Sequence, residues 1–178
     1  MSAVKTCGVV LGVVAAIGYL SGPDAGGEFG GVGCVADDGS AAGSVAGYQG
    51  EQLTNAATIV AVGKQLGVPE QGWVVAVATA MQESGLRNVD YGDRDSLGLF
   101  QQRPSQGWGT PEQVRSPDYA ATQFYQHLLG VEGWQQMPLT DAAQAVQRSG
   151  FPAAYARHEQ AAGEVVAAVQ GSTCGAAS

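Results

Sequence analysis

The organisation of the chain changes within residues 81–101, which read MQESGLRNVDYGDRDSLGLFQ. The segment before this change, from about Gln71 to Ser84, has the hydrophobic period of a helix, and Gly85 is a suitable residue to end it. The Gly, Asp and Asn residues that follow break the helical period, and residues 96–101 predict a short strand or hairpin. We therefore expect a helix that runs directly into a polar, loop-rich wall.

Helical patterns also occur on both sides of this segment. Residues 51–66 carry apolar side chains near one face, and Gly67 is a natural stop. Later patterns predict helices at about residues 117–129, 140–148 and 153–170. We expect one mainly α domain at residues 49–171, with a small β-hairpin as its β element.

The first 48 residues differ in composition from that domain. Residues 6–20 are uncharged and mostly apolar after Lys5, the order typical of an export segment, so we interpret residues 1–21 as an export signal or membrane anchor. Fifteen residues are few for a hydrocarbon core of about 30 Å, which favours a cleaved signal; a retained segment would tether the protein to a membrane. The alternative is a buried helix of the domain. Residues 22–48 are rich in glycine and predict a flexible linker.

The cysteines are Cys7, Cys34 and Cys174, so one lies in the export segment and two bracket the domain. In an extracytoplasmic location, Cys34 and Cys174 could form a disulfide that ties the linker to the tail at residues 172–178. Two unpaired thiols are the alternative.

Charge and composition exclude several classes of function. A net charge of −8 argues against binding nucleic acid, for which a basic surface is expected. His127 and His158 are the only histidines and have no zinc-binding spacing, so we predict no metal and no other cofactor. We expect a monomer.

Glu83 is the main candidate for a catalytic residue. It follows Ala76 and Ala80 on one helical face, and such a small-residue face predicts room for a ligand. In the last turn, the negative end of the helix and partial burial would both raise the pKa of this carboxyl towards the value that a general acid needs. The alternative is an exposed surface acid.

The order of three motifs decides between these interpretations. Glu83-Ser84, the loop Tyr91-Gly92-Asp93-Arg94-Asp95 and then Gly98-Leu99-Phe100-Gln101 closely resemble the catalytic region of goose-type lysozymes and soluble lytic transglycosylases. The resemblance covers about residues 70–108. It implies a lysozyme-like α+β fold whose hairpin lines the active-site cleft. It also implies cleavage of peptidoglycan glycan strands at the β-1,4 bond between N-acetylmuramic acid and N-acetylglucosamine.

The resemblance also implies residue roles. Glu83 would be the general acid, and Asp93 would help to position water in an inverting hydrolysis. Substrate would be bound by Ser84, Asp95, Gly98 and Gln101. For Asp93 and Asp95 the alternative is a structural role, bonding backbone N–H groups in a tight turn or pairing with Arg94 or Arg87.

Two aromatic residues complete the predicted substrate site. Trp108, on a glycine-flanked loop, would stack on a sugar ring or close the core. Tyr155 could correspond to the cleft tyrosine that many transglycosylases carry. Residues 102–109 depart from the transglycosylase pattern, which leaves open whether the enzyme is a transglycosylase or a muramidase. Other open alternatives are a noncatalytic wall-binding or secretion-assembly module and a chitinase-like enzyme.

Overall fold

The structure is a computed structural model in which residues 43–148 and 153–170 are described. The predicted export segment, most of the linker, the tail, Cys34 and Cys174 lie outside these residues. Within the described part of the chain, no helix has the length and apolar character needed to cross a membrane.

The domain is mainly helical, as predicted. Its α-helices are α1 (Glu51–Gln65), α2 (Glu70–Ser84), α3 (Pro111–Val114), α4 (Pro117–Leu129), α5 (Leu139–Gln147) and α6 (Glu159–Val169). Short 3₁₀ turns lie at Pro104–Gln106, Trp134–Gln136 and Ala156–His158.

Helix α2 lies at the centre of the domain and contacts α1, α4, α5 and α6. Ala76 and Ala80 are completely buried in the hydrophobic core. The expectation that their face leaves room for a ligand is therefore wrong: small side chains here serve close packing within the core.

Close packing also explains the approach of α1 to its neighbours. A side chain at Gly63 would collide with the indole ring of Trp73 and the hydroxyl group of Tyr125. That hydroxyl donates a hydrogen bond to the Ile59 carbonyl oxygen at 3.1 Å, which ties α4 to α1.

The predicted hairpin is not seen in the described residues. A single antiparallel bridge joins Leu97 to Gln102 and closes a tight turn. Gly98 (φ 74°) and Gln101 (φ 48°) have positive φ angles, which an extended strand excludes. The two residues between them, Leu99 and Phe100, are both buried, so the chain here does not alternate between a core face and a solvent face.

The last helix begins later than predicted. Residues 153–155 form a turn, a 3₁₀ turn follows, and α6 starts only at Glu159. Arg157 Nη2 donates to Gln82 Oε1 at 2.8 Å and ties this 3₁₀ turn to the end of α2. The irregular segment therefore brings residues near 155 to the last turn of α2.

Helix α3 was not predicted, although its signal is present in the sequence. The Thr110 side chain accepts a hydrogen bond from the Gln113 backbone N–H, and the Gln113 side chain accepts one from the Thr110 backbone N–H. Together with Pro111 at the first helical position, this is a capping box.

Candidate active site

Glu83 lies in the last turn of α2 and is partly buried. Gly85 ends the helix in the left-handed conformation, with φ 64°, and its N–H donates to the Met81 carbonyl oxygen at 3.0 Å. The predicted helix end is confirmed. The chain then turns away sharply, which leaves the Glu83 side chain at the edge of the helix bundle.

The closest polar partner of Glu83 is Tyr155, 72 residues further along the chain. The Tyr155 hydroxyl donates a hydrogen bond to Glu83 Oε1 at 2.7 Å, and the tyrosine is completely buried. The structure thus brings together the predicted general acid and the predicted cleft tyrosine. A short bond to a buried phenol holds the carboxyl in one orientation.

Burial raises the pKa of the Glu83 carboxyl, because a charge is costly where water is excluded; the hydrogen bond from Tyr155 lowers the pKa but only partly offsets this effect. The protonated form therefore persists to a higher pH than it does in an exposed glutamate. This is the property that a proton donor needs.

The raised pKa of Glu83 should also make the stability of the fold depend on pH. Because burial raises the pKa of Glu83 above that of an exposed glutamate, the Glu83 carboxyl destabilises the fold least at low pH, where it is protonated. The cost grows as the pH rises through the folded pKa, since the native protein must then bury a charge. We expect Glu83→Gln to raise Tm more at pH 8 than at pH 4, with about 1.4 kcal/mol gained per pH unit between the folded and unfolded pKa.

Thermal melts of the two proteins at both pH values provide the measurement. Glu70→Gln, which changes an exposed residue in the first turn of the same helix, should not raise Tm at either pH. A gain for Glu83→Gln that shrinks with rising pH would contradict the raised pKa.

Ser84 connects α2 to the turn at residues 96–102. Its hydroxyl lies 2.7 Å from the Leu99 carbonyl oxygen and 3.1 Å from that of Ala80, both acceptors for its O–H. The Ser84 oxygen in turn accepts the Arg87 N–H at 3.2 Å. The structure therefore places Ser84 as a residue that fixes the turn against the helix beside Glu83.

Gly98 and Gln101 hold the turn together from within. The Gln101 Nε2 group lies 3.2 Å from the carbonyl oxygens of both Tyr91 and Gly98. The Gly98 N–H donates to the Val89 carbonyl oxygen at 2.8 Å, and a side chain at Gly98 would collide with the carbonyl oxygen of Val114. Both residues thus shape the wall that follows Glu83.

Asp95 has structural partners. It accepts Arg103 Nε at 2.7 Å and the Ser105 N–H at 2.8 Å. Hydrogen bonds from the Ser105 backbone, from its side chain and from Arg103 hold the pKa of Asp95 well below its usual range. A structural role was the predicted alternative, but the partner is Arg103 in place of Arg94 or Arg87.

Asp93, unlike Asp95, has a highly exposed side chain. Its side chain is 91% exposed, and one oxygen lies 4.0 Å from Arg94 Nε, a weak pairing between exposed groups. The carboxylate is thus at the surface of the polar loop and open to water.

Trp108 lines a groove of about 610 Å³, whose lining includes neither Glu83 nor Tyr155. Its ring packs on His127, with 4.3 Å between centroids and a tilt of 42°, and it is partly buried against the core. The turn contributes Gln101 to the same groove. The remaining lining comes from Arg103, Gln106, Gly107, Gln126, His127, Gly130, Val131 and residues 145–148.

Three residues that sequence reasoning missed help to build the site. Gln147 Nε2 donates to the Phe100 carbonyl oxygen at 2.9 Å and fixes the turn to α5. Gln82 and Arg157 join the segments that carry Glu83 and Tyr155. Their partners are 47 and 75 residues away in sequence, and no local pattern indicates contacts of that range.

The described residues contain no group of His, Cys, Asp and Glu that could hold a metal ion. No protein-family model matches this chain, and no curated protein matches it.

Proposed function

We propose that this protein cleaves the glycan strands of peptidoglycan, with Glu83 as the general acid, and that its helical domain is lysozyme-like. The observation that carries the proposal is the partly buried Glu83 carboxyl with a raised pKa, bonded to Tyr155 beside a polar turn. The resemblance of residues 70–108 to goose-type lysozymes and soluble lytic transglycosylases supplies the substrate. Because this substrate lies outside the cytoplasmic membrane, the proposal includes export of the protein.

In the proposed reaction, protonated Glu83 donates its proton to the oxygen of the β-1,4 bond. The bond between this oxygen and the anomeric carbon breaks, the leaving sugar departs as an alcohol, and positive charge develops at the anomeric carbon. The Glu83 carboxylate that remains keeps the hydrogen bond from Tyr155, which stabilises it at the moment of proton transfer.

The second step needs a nucleophile that attacks the anomeric carbon. The sugar's own 6-hydroxyl would give an anhydro end, and water would give a reducing end. With the 6-hydroxyl as nucleophile, the Glu83 carboxylate accepts the proton that the nucleophile loses. With water attacking the opposite face of the sugar in an inverting hydrolysis, a second carboxylate has to accept that proton. The exposed Asp93 stays a candidate for orienting water.

Tyr155→Phe should move the pH profile in a defined direction. The substitution removes the hydrogen bond that lowers the pKa of Glu83, so this pKa should rise further. The alkaline limb of kcat/KM should therefore shift to higher pH, while the rate at low pH falls by about three- to tenfold because the product carboxylate is less stabilised. Kinetics over the range from pH 4 to pH 9 provide the test.

Tyr125→Phe is the matched control, because this buried tyrosine bonds a backbone oxygen of α1 and has no part in the proposed reaction. It should lower stability by about 1 kcal/mol and leave the pH profile in place. An alkaline limb that moves to lower pH in Tyr155→Phe would be inconsistent with the proposed role of the hydroxyl.

The function itself is tested by incubating the full-length protein with purified peptidoglycan and, separately, with chitin. We expect soluble sugar fragments from peptidoglycan and few from chitin. Tight binding to the wall without release of fragments would favour a noncatalytic wall-binding module. Equal or faster release from chitin would favour a chitinase-like enzyme.

A further inference from the structure

The groove beside the turn has a charge character opposite to that of the whole chain. The protein carries 16 acidic and 8 basic residues, yet among the described residues that line the groove none is acidic. Arg103 and Arg148 both line it. A cavity with cationic and neutral polar walls in an acidic protein favours an anionic ligand.

The two arginines of the groove are not equivalent. Arg103 is paired with Asp95 at 2.7 Å, so its charge is largely neutralised. Arg148 is exposed, and no carboxylate within residues 43–148 or 153–170 forms an ion pair with it. Its guanidinium group is therefore available to a carboxylate from outside.

The backbone at Arg148 supports a specific placement. Arg148 ends α5 with φ 52° and ψ 40°, a left-handed conformation that glycine or asparagine usually adopts at this position. Its N–H donates to the Gln144 carbonyl oxygen at 2.8 Å, which holds this conformation. An arginine in this conformation raises the energy of the backbone, and its side chain lines the groove.

The other groups that line the groove suit a sugar. Gln101, Gln106, Gln126 and Gln147 bring side-chain amides. The Nε2 groups of Gln101 and Gln147 already donate to backbone carbonyl oxygens, so Gln106 and Gln126 supply the amides that can donate to hydroxyl and acetamido groups. Trp108 adds an aromatic face for the C–H surface of a pyranose ring. The lining thus combines sugar-binding groups with one unpaired cation.

We infer that this groove is a binding site for a carboxylate-bearing glycan and that Arg148 recognises the carboxylate. The inference rests on the proposed function and narrows its substrate: the site would prefer acidic strands to uncharged N-acetylglucosamine polymer. The turn at residues 96–102 connects the groove to the Glu83 site, because Gln101 lines the groove and the Leu99 carbonyl oxygen accepts a hydrogen bond from Ser84, the residue after Glu83. In peptidoglycan, the carboxylate belongs either to the lactyl group of the sugar or to the peptide attached to it.

The test measures binding separately from cleavage. The full-length Glu83→Gln protein is titrated by calorimetry with three soluble oligosaccharides of equal length: peptide-bearing strands, strands stripped of peptide to expose the lactyl carboxylate, and chitin oligomers. We expect tighter binding of at least one carboxylate-bearing strand than of chitin. The strand that shows the preference identifies the source of the carboxylate.

Adding Arg148→Gln to this protein should weaken binding of the preferred strand about fivefold and leave chitin binding unchanged. Arg115→Gln removes the same charge from an exposed residue that does not line the groove, and it should leave all three affinities unchanged. The preference should also decrease with added salt.

Equal affinity for the charged and uncharged oligomers, or no effect of Arg148→Gln, would overturn the inference. That outcome is distinct from failure of the proposed function, which would appear as intact peptidoglycan after incubation with the protein that retains Glu83.

Discussion

Glu83→Gln is expected to lower the rate of glycan cleavage on the order of 10³-fold and to leave glycan binding nearly unchanged. Glutamine has nearly the same size and shape as glutamic acid, and its amide can still accept the hydrogen bond from Tyr155. It has no acidic proton to give to the leaving oxygen. The loss should therefore appear in kcat, with KM little changed, when release of soluble sugar from peptidoglycan is measured.

Glu70→Gln is the control for this experiment, because it makes the same chemical change at an exposed position of the same helix. It should retain full activity. Activity of Glu83→Gln within a few-fold of that of the unmodified protein would remove Glu83 from the mechanism, since no other group is assigned to donate the proton.

The second large effect is expected for Gly98→Ala, which should destabilise the domain by about 2–4 kcal/mol. Gly98 has φ 74°, a conformation that costs a residue with a Cβ atom about 1 kcal/mol or more. The new methyl group would also meet the Val114 carbonyl oxygen, a backbone atom that cannot rotate away. Urea denaturation at pH 7 measures the loss through the midpoint and the slope.

Gly67→Ala separates the two causes. Gly67 has a similar φ of 67° but open space around the position of a new Cβ, so this substitution should cost only about 1 kcal/mol. If Gly98→Ala is no more destabilising than Gly67→Ala, the collision with Val114 is not important to the fold.

The helices were predictable because their signals are local. Gly85 ends α2, and Pro117 begins α4, where the sequence indicated. A glycine supplies the left-handed conformation at a helix end, and a proline fits the first helical position, whatever the rest of the chain does.

The faces of the helices and the shape of the turn were less predictable because they depend on packing. Ala76 and Ala80 indicated a ligand face, yet the neighbouring helices cover both residues completely. Residues 96–101 indicated a short strand or hairpin, but a tight turn buries both Leu99 and Phe100. Helical or strand periodicity does not reveal which neighbours a face will meet.

The candidate site was predictable only in part. Glu83 follows from its place at a helix end together with the motifs around it. The resemblance indicated Tyr155 as a cleft tyrosine, but its hydrogen bond to Glu83 was not predicted. The Arg103–Asp95 pair could be identified only from the structure, since Arg94 and Arg87 are also possible partners for Asp95 in the sequence. Side chains of similar chemistry compete for one partner, and the backbone path decides between them.

The most direct measurement is mass spectrometry of the sugar ends formed when the full-length protein acts on purified peptidoglycan near neutral pH. We expect new ends at the β-1,4 bond after N-acetylmuramic acid, either anhydro or reducing, that are absent with Glu83→Gln. Peptidoglycan whose glycan strands keep their original length and ends after prolonged incubation would contradict it.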